Sequence, residues 1–117
     1  MEITVQARHL EIPDQLREAA VAKAKHLERF LEGSQLAQVI FSRDHAARDD
    51  GHVTCEVLVV ARGRSVRVRA KAHLAKDALE AAMSKEALRL TRMQDRLVNR
   101  SRPRHGVPAQ RPTELLD

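Results

Sequence analysis

From Val53 to His73 the chain alternates residue types on both sides of Arg62-Gly63-Arg64. A period of two places alternate side chains on opposite faces of a strand, and a glycine between two such runs signals a hairpin. Val53, Cys55, Val57 and Val59 form one inward row, and Val66, Val68, Ala70 and Ala72 form the next. Arg67, Arg69 and Lys71 point the other way. A sheet is therefore built into the middle of the chain, and the rest must cover one of its faces.

The flanking periodicities supply that cover. Glu2 to Arg8 alternates, with Ile3, Val5 and Ala7 on one side, and reads as a first strand. Pro13 suits a helix start, Asp14 and Glu18 suit the positive end of its dipole, and Gly33 suits its end. Leu16, Ala20, Ala24, Leu27 and Leu31 repeat at helical spacing, so the first helix is expected over Asp14 to Glu32. Leu36 to Arg43 reads as the second strand, and Asp49-Asp50-Gly51 marks a turn within the polar stretch from Asp44 to His52. Val53 to Ala61 and Ser65 to His73 are the third and fourth strands. A second helix is expected from Lys76 to Asn99, its apolar seam formed by Leu79, Met83, Leu90, Met93 and Leu97 and interrupted by Glu86.

The expected order is βαβββα, an α+β fold. Strands joined through a helix should lie parallel, and the remaining strands should form an antiparallel meander. The result is a four-stranded mixed sheet with two helices packed on one face and the other face partly wet. Residues 1–99 form this domain. Pro103, Pro108 and Pro112 deny regular structure to residues 100–117, which read as a basic, disordered tail.

Charge is distributed unevenly. From Val60 to His105 there are 13 Lys/Arg against 4 Asp/Glu, whereas Met1 to Val59 carries 7 against 10. Lys85, Arg89, Arg92 and Arg96 stand at i, i+4, i+7 and i+11, within an arc of roughly 60° on one helix face. Arg100 extends the row. A solvated face usually mixes signs in i, i+4 pairs, but only Glu86 and Asp95 interleave here. The row points to an anionic partner, nucleic acid first. Arg67, Arg69 and Lys71 either extend that surface or protect an edge strand from pairing with other chains. On the first helix Lys23, Lys25 and Arg29 mix with Glu18 and Glu28, which alone is an ordinary surface.

Other classes find little support. The chain has no Trp, no Tyr and only Phe30 and Phe41, which disfavours a single-strand binder that stacks bases on aromatic rings. Recognition should run through backbone charge and shape. The six histidines are scattered, with no zinc-ligand spacing, glycine-rich phosphate loop or nucleophile elbow. No catalytic residue, metal or cofactor is expected. Cys55 is the only cysteine and reads as a small core residue. No apolar run approaches the ~20 residues a membrane span needs, and the N-terminus alternates as a strand would, unlike a signal peptide; a cytoplasmic protein is expected.

Two stretches carry a family resemblance. Ile12-Pro-Asp-Gln-Leu-Arg-Glu, continuing through Lys23 to Leu27-Glu-Arg-Phe30, resembles the first-helix pattern of the ribosome hibernation promoting factor and ribosome-associated inhibitor A family. Lys85 to Leu97 is similar to that family's second helix, with Leu90, Arg92, Asp95, Arg96 and Leu97 in matching slots. The element order agrees over residues 1–99. The chain departs from the pattern at Pro13, where Thr is usual, at Glu86, where Leu is usual, and around Ala75-Lys76. The resemblance implies a translation inhibitor that binds the small ribosomal subunit and its rRNA, covering the mRNA and tRNA sites of the decoding region during stress or stationary phase. It implies an rRNA-binding role for Lys85, Arg89, Arg92 and Arg96, with Lys23 and Arg29 flanking them. It fits a short form or the N-terminal domain of a long one. A generic structured-RNA or DNA binder with the same basic face is the alternative, followed by a module for an acidic protein partner.

Overall fold

The computed structural model describes residues 1–43 and 52–101. Strand β1 (Glu2–Arg8) leads to helix α1 (Asp14–Leu27), a 3₁₀ turn (Glu28–Phe30) and strand β2 (Ser34–Arg43). Strands β3 (Val53–Ala61) and β4 (Arg64–Ala72) and helix α2 (Ala75–Ser101) follow. The sheet order is β1-β2-β3-β4. β1 pairs parallel to β2, while β2–β3 and β3–β4 are antiparallel. The βαβββα order and the mixed sheet are those expected.

Local chemistry sets the boundaries. Pro13 makes no side-chain cap, but its carbonyl accepts hydrogen bonds from the Leu16 and Arg17 amides at 3.0 and 3.1 Å. The Leu74 carbonyl does the same for Asp77 and Ala78 at the start of α2. The first helix is shorter than its periodicity suggests. The α-helix ends at Leu27 and tightens into the 3₁₀ turn, and Leu31 is already extended. Leu31 is nevertheless buried, because the tighter turn delivers it to the same face that another helical turn would have reached. Gly33, at φ +80°, then takes the left-handed conformation that turns the chain into β2. Helix α2 runs two residues past the expected Asn99. The proposed turn at Asp49-Asp50-Gly51 and the tail beyond Ser101 lie outside the described residues.

One core joins the sheet to both helices. Ala37, Val39 and Phe41 of β2, Val53, Cys55, Val57 and Val59 of β3, and Val66, Val68 and Ala70 of β4 bury one face of the sheet. Ala20, Ala24 and Leu27 of α1, and Ala78, Leu79, Ala82, Met83 and Leu90 of α2, cover it. Alternating small and large side chains let the helices settle close to the strands. Cys55 sits at the centre of this layer, and burial, with the neighbouring Glu56 charge, pushes its thiol up to about 12. The expected seam of α2 is present at Leu79, Met83 and Leu90, with Met93 packed against it; the side chain of Leu97 lies outside the described residues.

Glu86 occupies that seam too and is fully buried. Helical periodicity places it on the core face between Met83 and Leu90, so its position carries a carboxyl inside. Neither of its oxygens has a hydrogen-bond partner. Burial pushes its pKa from 4.5 up to about 8, a rise only partly opposed by the nearby Val59 backbone and Arg89. The group is therefore mostly a neutral acid at pH 7.

Candidate nucleic-acid interface

The site is built where α2 crosses the β4 edge of the sheet. Strand β4 alternates buried Val66, Val68 and Ala70 with exposed Ser65, Arg67, Arg69 and Lys71. Helix α2 buries Ala82, Met83, Glu86 and Leu90, which leaves Lys85, Leu88, Arg89, Arg92 and Arg96 in solvent. The same periodicity that fills the core thus turns the basic row outward, beside the strand edge.

Two adjoining open clefts run along this junction. The first, of about 450 Å³, is lined by Arg67, Val68, Arg69, Lys85, Leu88, Arg89 and Arg92. The second, of about 420 Å³, is lined by Ser65, Val66, Arg67, Arg89, Arg92, Met93 and Arg96. Arg67, Arg89 and Arg92 belong to both, so the two form one basic channel. The rise of an α-helix spaces successive members of the α2 row by about 4.5 to 6 Å. Such a channel attracts polyanions and holds them through charge-assisted hydrogen bonds.

Lys85 has a second task. Its Nζ donates to the Arg69 carbonyl at 2.9 Å, tying α2 to the open edge of β4. Arg17 does the equivalent at the opposite edge, where its Nη1 donates to the Val5 carbonyl at 2.9 Å. Thr91 donates to the Ala87 carbonyl of the preceding turn, and the Gln94 side chain accepts from the Glu32 amide at 3.4 Å. The Lys85 and Gln94 contacts tie α2 to β4 and to the segment that precedes β2, so the helix side of the channel is anchored at two points.

The structure therefore brings six of the nine expected basic residues together: Lys85, Arg89, Arg92, Arg96, Arg67 and Arg69. Lys71, although exposed on the same strand, is not among the lining side chains. Lys23 is half-buried in a different groove between α1 and α2, with His26, Phe30, Glu80 and Met83. Arg29 is exposed on the 3₁₀ turn and lines none of these clefts.

Sequence reasoning missed one charged neighbour. Glu56 of β3 reaches Arg67 Nε at 3.0 Å and Arg69 Nη2 at 3.4 Å. The fourth strand, expected from Ser65, begins at Arg64 and ends at Ala72, and this one-residue difference sets the hairpin register. With Arg62 and Gly63 as its loop, each step back along β3 matches a step forward along β4, which sets Glu56 opposite Arg69. The fourth-strand row is thus not a run of unrelieved like charge. Among the described residues, no group of three or more His, Cys, Asp or Glu side chains could hold a metal ion, and no helix is long and apolar enough to cross a membrane.

Comparison with known proteins bears on the same residues. A family model described as sigma 54 modulation protein / S30EA ribosomal protein matches residues 3–98, all of the sheet but its first residue and nearly all of α2. The crystal structure of the Protein Y N-terminal domain from Thermus thermophilus is similar, with 26% sequence identity and a TM-score of 0.67 over 80% of this chain and 99% of that one. A ribosomal subunit interface protein from Coxiella burnetii shares the fold at 17% identity, with a TM-score of 0.67 over 81% of this chain and 99% of that one. No curated protein matches the chain.

Proposed function

Because this chain belongs to the sigma 54 modulation protein / S30EA ribosomal protein family, we propose that it is a ribosome hibernation factor that inhibits translation by occupying the small subunit. The observation that carries this reading is the basic channel between β4 and α2. In it Lys85, Arg89, Arg92 and Arg96 grip rRNA phosphates from the helix side, and Arg67 and Arg69 meet them from the strand side. Lys71, Lys23 and Arg29 flank the contact. The body of the domain then covers the mRNA and tRNA sites of the decoding region.

No bond is made or broken in this mechanism. Occlusion needs affinity and shape, and the seat of α2 on the sheet supplies the shape. The scarcity of aromatic rings fits a protein that reads backbone geometry and not unstacked bases. Membership of a family of ribosomal proteins supports a ribosomal partner over an arbitrary RNA.

The reading is tested by co-sedimentation with purified ribosomes and separated subunits at near-physiological salt, with excess naked duplex RNA as competitor. Saturable binding to the small subunit that survives the competitor is expected. The logarithm of affinity should fall linearly with the logarithm of salt, with a slope of about −0.7 to −0.9 per phosphate contacted. Binding that the competitor removes completely would reduce the protein to a generic binder of structured RNA or DNA. Binding that persists after nuclease treatment would point to an acidic protein partner.

A further inference from the structure

An acid stands beside the channel: Glu56 lines neither cleft, but it holds two of the arginines that do. Glu56 stands in β3 directly opposite Arg69, and Arg67 lies diagonally across from it. One carboxylate oxygen meets Arg67 at 3.0 Å and the other meets Arg69 at 3.4 Å. The Glu56 side chain is only 20% exposed, whereas those of Arg67 and Arg69 are 61% and 64% exposed. The acid is thus held against the sheet while both guanidinium groups reach into solvent. Each commits one nitrogen to Glu56 and presents the rest of its planar fork outward. A carboxylate held across two guanidinium groups resembles a phosphate in charge and in hydrogen-bond geometry.

We propose that Glu56 is a selectivity residue: an internal stand-in for phosphate that weakens the grip of Arg67 and Arg69 on arbitrary RNA, so that only a partner shaped to the α2 row binds tightly. The inference rests on the reading of the channel as an RNA site. Its physical basis is that non-specific binding is almost wholly electrostatic and is reduced by any counter-charge at the site. A shape-matched complex retains the contacts of Lys85, Arg89, Arg92 and Arg96, which Glu56 does not meet. Specificity is a difference of affinities, and a residue that weakens the wrong complex more than the right one raises it. Arg92 and Arg96 are exposed, and among the described residues neither pairs with an acid. The counter-charge therefore falls on the strand side of the channel and leaves that part of the helix side open.

The test is Glu56→Gln, which removes the charge and keeps the size. Affinity for a defined naked RNA duplex and for purified ribosomes is measured across a salt series. Duplex binding should tighten by about three- to tenfold at low salt, the range expected when two solvent-exposed ion pairs are released. Its salt slope should steepen as the freed arginines take up phosphates. Ribosome affinity should change by less than about twofold, because a shape-matched surface meets the outward forks of Arg67 and Arg69 as Glu56 already holds them. The same substitution in an Arg67→Gln, Arg69→Gln background should give no gain, which separates freed arginines from any general change in the fold. The proposal is overturned by unchanged duplex affinity and slope, by an equal gain on ribosomes, or by a gain that survives without the two arginines. Any of these results, obtained while the unaltered protein still binds small subunits through the competitor, leaves the ribosome-binding reading standing. Failure of the unaltered protein to bind small subunits would instead count against that reading.

Discussion

A protein carrying Arg89→Glu and Arg92→Glu is expected to fold as the parent does and to bind small ribosomal subunits at least about a hundredfold more weakly. Both side chains are exposed, and both line the two clefts of the channel. A charged hydrogen bond contributes about 1.5 to 3 kcal/mol, so losing two costs two orders of magnitude or more, and reversal adds repulsion. The salt slope should become shallower by about 1.4 to 1.8, two phosphate contacts' worth. Lys85 is better left in place. Its Nζ also holds the Arg69 carbonyl, so a charge reversal there would disturb the strand edge along with the channel. The measurement is co-sedimentation beside a thermal melt. A well-folded double variant that still sediments at parental affinity would remove the channel from the mechanism.

The second large effect lies in the core. Replacing Glu86 by Leu should raise stability by about 2 kcal/mol near neutral pH, a gain on the order of 10 °C in Tm for a domain of this size. The carboxyl is fully buried with neither oxygen hydrogen-bonded, and an apolar side chain of similar volume removes that desolvation cost. The effect also carries a pH signature. The folded-state pKa of Glu86 is raised to about 8 from an ordinary 4.5, so between these values the folded protein holds a proton that the unfolded chain has released. Stability is therefore greatest below the unfolded value and falls as pH rises toward about 8, by on the order of 2 kcal/mol between about pH 5 and pH 7. The difference in stability between parent and Glu86→Leu isolates this contribution. It should widen with pH and level off above about 8. A difference that stays constant from about pH 5 to pH 8 would show that Glu86 does not hold its proton in the fold.

The order of elements was legible because each apolar row keeps one period from end to end. The β3–β4 hairpin and the core face of α2 follow from that alone. The end of α1 was not legible, since Leu27 and Leu31 keep helical spacing whether the chain between them is α or 3₁₀; only the backbone distinguishes them. Glu86 looked like a break in the seam, yet its position by period is a core position. The sequence located it correctly, but could not show that the carboxyl would remain there without a partner. In the channel, the helix row was readable from spacing within one element. The contribution of Arg67 and Arg69 depends on how the edge of β4 meets α2, a tertiary relation. The same holds for Lys23, whose charge pattern gave no sign that it would line a separate groove. Glu56 lay between these cases: alternation put it on the outward face of β3, but its place opposite Arg69 depends on Arg64 starting β4 and not belonging to the turn.

Cys55 gives the fold a built-in clock. It is the only sulfhydryl in the chain, it pairs with Phe41 on one side and Ala70 on the other, and it is fully buried. A thiol reagent reaches it only when the helices lift from the sheet or the strands part, so its rate of modification counts openings of the core. The burial that makes it chemically inert in the native state also makes it a reporter that needs no engineered label. Added ribosomes should slow that clock in proportion to the fraction of protein bound, since only the free molecules would continue to open at their own pace.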